Sequence, residues 1–159
     1  MFHSTTVQVR KATQQEDALI AAHFYHMWLD VDVPANAIQP NWGPIVVEYI
    51  ENARQTLNYQ AFVAQKDEVV VGSVSCQQFA GLYPNLLKPE HRMYGYIWGV
   101  YVEPADRQQG IATQLTQHAI AHLKSIGCTH AVLNASPLGE SVYKRLGFAP
   151  MNAMWLQLH

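Results

Sequence analysis

The chain of 159 residues has the length of one domain, with 49% hydrophobic and only 14% charged residues. This composition supplies core material and excludes a disordered chain, which needs low hydrophobicity and high net charge. The formal net charge of −2 argues against general binding to nucleic acid or to an anionic membrane. No apolar run approaches the roughly 20 residues of a membrane-spanning helix.

The N-terminal residues and the two cysteines indicate the cellular location of the protein. The N-terminus has no apolar stretch of the kind found in secretory signals. Cys76 and Cys128 are isolated in the sequence, which indicates buried thiols rather than a disulfide framework. We therefore expect one domain over residues 1–159, located in the cytoplasm.

The first half of the chain predicts a strand and two helices. Residues 7–9 alternate apolar and polar side chains, which is typical of a short strand. Residues 13–16 have the form of a capping box, so a helix should begin there and run to about Asp30. A second helix is predicted over Pro44–Leu57, with the proline in its first helical position.

The pattern of apolar residues then changes to that of strands. Residues 61–65 and 69–79 are rich in β-branched side chains and flank a polar turn, which predicts a hairpin. A loop over residues 80–92 is long enough to suggest a function, and its apolar content argues against disorder. The aromatic segment 93–102 is predicted to be a further strand.

The last third alternates helix and strand. Helices are predicted over residues 110–126 and 137–146, with strands over 130–135 and Ala153–Leu158. The crossover from the aromatic strand through the first of these helices requires parallel pairing. The hairpin requires antiparallel pairing, so the sheet should be mixed.

The turn between the aromatic strand and the next helix has the features of an anion-binding site. Gly110 opens that helix and Ala112 is the next small residue. The first N–H groups of a helix have no partner within the helix and carry the positive end of its dipole. Small residues there allow a phosphate to approach the backbone. An ordinary strand-to-helix turn is the alternative interpretation.

Two segments resemble signatures of the GNAT superfamily of N-acetyltransferases. Residues 107–112, RQQGIA, match its Arg/Gln-x-x-Gly-x-Gly/Ala signature. Residues 141–148, SVYKRLGF, match its last helix, with valine in place of the usual leucine at position 142, and residues 10–17 resemble the start of such domains. The resemblance implies an α/β (α+β) fold with a mixed, mostly antiparallel twisted sheet, a central parallel β-α-β crossover and helices on both faces.

The resemblance also implies a reaction. Acetyl-CoA would be the cosubstrate, without a metal, and a primary amine of a small molecule or peptide would attack the thioester directly through a tetrahedral intermediate. Tyr143 would act as the general acid for the leaving thiolate. Val100 and Val102 would offer backbone groups to the pantetheine arm, beside a bulge at Gly99; packing room is the alternative reason for that glycine. The remaining predicted cofactor contacts are Arg107, Gln108, Gln109, Gly110, Ile111, Ala112, Thr113 and Ser136.

The general base stays open. Some members of the superfamily carry a glutamate where this sequence has Tyr96, so Glu103, His91 or a water chain are the candidates. Asn134 is an alternative to Ser136, which also fits an ordinary helix cap. The histidine pairs His118/His122 and His23/His26 have zinc-binding spacing, but no further ligand can be named, and we expect no metal.

Aromatic residues are concentrated in the first two helices, the long loop and the aromatic strand. The resemblance implies that these segments wall the acceptor site, and an aromatic wall suits an apolar or cationic amine; ordinary core packing is the alternative. Asp30 and Asp32 are candidates to attract an ammonium group. The aromatic residues are Tyr25, Trp28, Trp42, Tyr83, Tyr94, Tyr96 and Trp98.

Two other functions remain compatible with the sequence. A non-catalytic acyl-CoA-binding module would need no base. A regulatory protein acting as a homodimer is the other, and a homodimer is also compatible with an enzyme.

Overall fold

The computed structural model describes residues 6–79 and 81–159, which form a mixed α/β fold. The elements are β1 (Gln8–Lys11), α1 (Asp17–Asp30), α2 (Trp42–Thr56), β2 (Gln60–Lys66), β3 (Val69–Gln78), β4 (Tyr94–Val102), α3 (Ile111–Ser125), β5 (His130–Val132) and α4 (Glu140–Arg145).

The strands form one mixed sheet, as predicted, and their order in the sheet is β1-β2-β3-β4-β5. Neighbours are antiparallel except β4 and β5, which are parallel because α3 returns the chain to the same end of the sheet. In the described residues this parallel pair lies at the edge of the sheet rather than at its centre.

The predicted last strand over Ala153–Leu158 is wrong. These residues adopt no strand, and Trp155 is 87% exposed. Alternation of apolar and polar residues is a local property, whereas a strand also needs a hydrogen-bonded neighbour. The adjacent edge is short, because β5 ends at Val132.

Helix α3 covers one face of the sheet. Leu115, Ala119 and Leu123 are buried there against residues of β2, β3 and β4. A Cβ added to Gly95 of β4 would lie 2.6 Å from Cδ2 of Leu123. Glycine at this position therefore allows the end of α3 to pack directly on the start of β4.

Helices α1 and α2 cover the opposite face, which confirms the prediction of helices on both sides. Ile20 of α1 and Ile50 of α2 belong to a separate buried cluster with Ala61 of β2. The buried carboxylate of Asp17 accepts a 2.7 Å hydrogen bond from Arg54 and so joins the start of α1 to the end of α2.

Several predicted boundaries shift by a few residues. The capping box at Thr13 is present but caps a 3₁₀ turn over Gln14–Glu16 that leads into α1. Helix α2 begins at Trp42, so Pro44 occupies its third position, where its missing N–H still costs nothing. Strand β5 is shorter than predicted. Helix α4 is also shorter, because residues 137–139 form a turn.

Cys76 and Cys128 are free thiols, as predicted, and Cys76 is buried. Within the described ranges, no helix has the length and apolar character needed to cross a membrane.

Candidate functional site

Strand β4 is irregular at its centre. Its register with β3 shifts between Ser73, which faces Tyr101, and Ser75, which faces Trp98. The one extra residue of β4 forms a bulge, and Gly99 has a φ of +64° there. This confirms the predicted bulge at Gly99.

The edge of β4 next to β5 is open beyond the bulge. Pairing with β5 covers only Tyr94–Tyr96, whereas β4 continues to Val102. Among the residues that the structure describes, no strand lies beside this second half of β4. The carbonyl of Val102 on that side accepts a hydrogen bond from Arg107, and the other backbone N–H and C=O groups there are available to an extended ligand, as at any unpaired strand edge.

The loop after β4 leads into α3 with backbone N–H groups that lack protein partners. Gln108 has a φ of +62° and Gly110 a φ of +76°. Residues of positive φ that alternate with residues of negative φ turn successive backbone N–H groups toward one side and form an anion-binding concavity. The first backbone hydrogen bond of α3 joins the N–H of Gln114 to the carbonyl of Gly110 at 3.1 Å. In the described part of the chain, the N–H groups of residues 108–113 thus have no protein acceptor.

Arg107 fastens this loop to its surroundings. Its Nε donates to the carbonyl of Val102 at 2.8 Å, and its Nη2 donates to the carboxylate of Asp30 at 2.6 Å. The guanidinium also lies 5.5 Å from the centre of the Tyr101 ring. Asp30 is therefore engaged by Arg107, and the idea that it attracts an ammonium loses its basis.

A cavity of about 710 Å³ separates the loop from α4. It is bounded by the end of α1, the end of β4, the start of α3 and residues 136–145. Every predicted site residue except Gln109 lines it: Val100, Val102, Arg107, Gln108, Gly110, Ile111, Ala112, Thr113, Ser136 and Tyr143. Gln109 lies in the same loop but outside the lining.

Tyr143 projects from α4 into this cavity. Its ring packs edge-on against Phe148, with centroids 5.9 Å apart. A Cβ added to Gly139 would lie 2.9 Å from Cε2 of Tyr143, so the glycine leaves room for the ring. Burial raises the pKa of Tyr143 above its ordinary value of 10. The phenol therefore keeps its proton at neutral pH.

Ser136 has a local structural role. Its Oγ accepts a hydrogen bond from the N–H of Gly139 at 3.3 Å and stabilises the turn that precedes α4. This agrees with the capping interpretation of Ser136, although the residue also lines the cavity.

The residues considered as bases lie outside the cavity lining. Glu103 has Oε1 3.4 Å from Nε2 of His23, and its Oε2 accepts a hydrogen bond from the Tyr101 hydroxyl at 3.4 Å. His91 lies in the exposed loop. Asn134, the alternative to Ser136, donates to the Tyr96 hydroxyl instead.

Sequence reasoning missed Met27 and Val31, which line the cavity from the end of α1. No local pattern marks them, because the end of α1 meets the loop only through tertiary packing.

The histidines of the pair His118/His122 lie within hydrogen-bond distance of backbone carbonyls. His118 Nδ1 lies 2.9 Å from the carbonyl of Gln114, and His122 Nε2 lies 3.1 Å from that of Asn58. Over residues 6–79 and 81–159, no group of three or more His, Cys, Asp or Glu side chains is placed to bind a metal ion.

Comparison with known proteins gives both a family and a fold. The model of the acetyltransferase (GNAT) family matches residues 28–148. No curated protein matches the chain.

Solved structures agree with the family match. A GCN5-related N-acetyltransferase from Ralstonia eutropha JMP134 is 22% identical, with a TM-score of 0.82 over 96% of this chain and 99% of that one. A predicted acetyltransferase from Clostridium acetobutylicum, solved with acetyl-CoA, is 22% identical, with a TM-score of 0.80 over 97% and 96%. Glucosamine-6-phosphate N-acetyltransferase from Arabidopsis thaliana is 15% identical, with a TM-score of 0.67 over 96% and 97%. At these identities the likeness shows the fold.

Proposed function

Because the chain belongs to the acetyltransferase (GNAT) family, we propose that it transfers an acetyl group from acetyl-CoA to a primary amine. The observation that carries this proposal is the row of N–H groups over residues 108–113, which lack protein acceptors and border the cavity. A pyrophosphate is the kind of anion that such N–H groups and the positive end of the α3 dipole stabilise.

The residues present fit acetyl-CoA. The loop over residues 107–113 would hold its pyrophosphate. The open edge of β4 at Val100 and Val102 would pair with the amide groups of the pantetheine arm, which is extended and can bond like a strand. The arm would then pass toward Gly99 and Tyr143. The solved relative from Clostridium acetobutylicum contains acetyl-CoA, which supports this choice of cosubstrate.

In the proposed reaction, the amine nitrogen forms a bond to the thioester carbonyl carbon, and the carbon–sulfur bond breaks. The amine loses a proton to water, and the leaving sulfur receives one from the Tyr143 hydroxyl, which regains its proton from solvent. The ordinary pKa values are about 10 for tyrosine and about 8.5 for a thiol, and burial widens this gap by raising the pKa of Tyr143, so the transfer requires direct hydrogen-bond contact with the sulfur. A backbone N–H freed by the bulge at Gly99 would stabilise the developing oxyanion, an effect of about 2.7–4 kcal/mol per donor.

Substitution of Tyr143 by phenylalanine tests the acid. Tyr143→Phe removes the hydroxyl and keeps the ring that packs on Phe148. We expect kcat for thiol release to fall by roughly 10²- to 10⁴-fold, the usual contribution of a general acid. The Kd for acetyl-CoA, measured by calorimetry, and the melting temperature should stay near wild-type values.

Two other outcomes would change the assignment. Full turnover of Tyr143→Phe across the pH range would show that another group protonates the thiolate. Binding of acetyl-CoA without thiol release toward any amine in a broad library would favour the non-catalytic acyl-CoA-binding module.

A further inference from the structure

Aromatic side chains of α1, α2, β4 and the turn between α2 and β2 meet on one face of the sheet. Trp98 is at their centre, with ring centroids 5.1 Å from Phe24, 5.6 Å from Tyr49 and 6.3 Å from Tyr59. Phe24 also contacts Trp28, at 6.0 Å. We call these five residues the aromatic cluster. Most of the ring pairs are edge-to-face, a favourable arrangement of the ring quadrupoles.

The aromatic cluster borders the bulge in β4. Trp98 directly precedes Gly99 in the sequence, and a Cβ added to Gly99 would lie 3.6 Å from Cδ2 of Phe24. The cluster is also open to solvent at one side, because Trp28 is 43% exposed and Tyr49 is 50% exposed. A molecule that reaches the bulge from the side of α1 and α2 therefore meets these rings.

A buried glutamine fixes the central ring. Gln77 is 3% exposed, and its Oε1 accepts a 3.0 Å hydrogen bond from Nε1 of Trp98. Its Nε2 donates to the hydroxyl of Tyr49 at 2.8 Å. Both ends of the amide are thus used to set Trp98 against Tyr49. The rings form a prepared apolar surface, which lowers the entropic cost of binding a ligand.

Three of the four carboxylates on α1 and α2 are paired with arginines. Arg54 binds both Asp17 and Glu51, at 2.7 and 2.6 Å. Asp30 binds Arg107 at 2.6 Å. A ligand with several ammonium groups would have to compete with these arginines for the carboxylates. A single ammonium needs no such partner, since it can rest on a ring face.

From the aromatic cluster, its position at the bulge and these ion pairs, we propose that the acceptor is an arylalkylamine. Its aromatic body would pack on Trp98 and Phe24 between Trp28 and Tyr49, with the amine directed at the bulge. This inference rests on the proposed acetyl transfer and adds the class of substrate.

The test compares amines that share a primary amine but differ in their bodies. Thiol release from acetyl-CoA is measured with 2-phenylethylamine, ethylamine, glucosamine and spermidine. We expect kcat/KM for 2-phenylethylamine to be at least about tenfold higher than for each of the others, because the phenyl ring adds aromatic contacts that they lack.

A pair of tryptophan variants links the preference to the cluster. Trp28→Ala should lower kcat/KM for 2-phenylethylamine by about tenfold and change that for ethylamine by less than about twofold. Trp155→Ala removes an exposed tryptophan outside the cluster and should change neither value. Melting temperatures of both variants verify that they fold.

The failures of the two proposals are distinguishable. Preference for spermidine or glucosamine, or an equal loss with both amines in Trp28→Ala, overturns the arylalkylamine assignment and leaves acetyl transfer standing. Absence of thiol release with every amine, despite binding of acetyl-CoA, overturns both.

Discussion

Replacement of Gly110 by alanine should weaken both the fold and the binding of coenzyme A. Gly110 caps the start of α3 with a φ of +76°, and a Cβ added there meets no atom within 4 Å. The substitution therefore causes no steric clash with neighbouring residues. Its cost comes from the left-handed backbone conformation, which disfavours an L-residue by roughly 1–2 kcal/mol.

The expected magnitudes follow from this strain. Alanine also restricts the unfolded chain, which offsets about 0.4–1 kcal/mol, so the net loss of unfolding free energy should be about 1 kcal/mol. For a domain of this size, that loss lowers the melting temperature by about 2–4 °C. A loop that relaxes to relieve the strain loses at least one hydrogen bond to a phosphate. Such a bond is worth about 1.5–3 kcal/mol, so the Kd for coenzyme A should rise about tenfold to hundredfold.

Gly127 provides a matched control at the other end of α3. Its φ is +89°, and a Cβ added there also meets nothing within 4 Å. Gly127→Ala should lower the melting temperature by a similar amount and leave the Kd for coenzyme A unchanged in calorimetry. Gly110→Asn should lose less than Gly110→Ala, because asparagine tolerates this conformation. If Gly110→Ala binds coenzyme A as tightly as the wild type, the conformation of the loop does not serve binding.

Three further substitutions test other parts of the structure. Gly139→Ala, which brings a Cβ to 2.9 Å from Cε2 of Tyr143, should displace the ring and lower kcat with little effect on the Kd for acetyl-CoA; an unchanged kcat contradicts the placement of Tyr143. Gly95→Ala, with its Cβ 2.6 Å from Leu123, should lower the unfolding free energy in urea by about 1–3 kcal/mol; wild-type stability would mean that α3 can move away freely. Burial lowers the pKa of His23 below 6.5, so the unfolded chain binds a proton that the folded chain does not, and stability should fall as the pH drops below about 6.5. Urea denaturation of His23→Gln should show a shallower decline over this range, and an identical slope refutes the assignment.

Local patterns in the sequence were sufficient for the elements that carry the loop over residues 107–113. The apolar repeat of α3 and Gly110 at its start are determined by near neighbours, so the loop and helix lie where the sequence predicts them. Glycine inside an aromatic strand indicated either a bulge or packing room at Gly99, and the structure has the bulge.

Contacts between distant residues could not be predicted. Arg107 and Asp30 are 77 positions apart, and the pattern around Asp30 indicated only an acidic helix end. Gln77 lies within a β-branched strand, and nothing in its neighbourhood indicates that it holds Trp98. Over Ala153–Leu158 the local alternation predicted a strand. The prediction failed because a strand also needs a partner strand, and none pairs with these residues in the described part of the chain.

Arg107 connects the proposed binding sites for coenzyme and acceptor. The Arg107 guanidinium binds the carbonyl of Val102 at the end of β4 and the carboxylate of Asp30 at the end of α1. Arg107 itself belongs to the loop that borders the cavity. Helix α1 also carries Phe24 and Trp28. Motion of α1 when an acceptor binds would therefore displace the loop through the side chain of Arg107. Thermodynamic reciprocity then requires that any change in coenzyme affinity caused by the acceptor be matched by an equal change in acceptor affinity caused by the coenzyme.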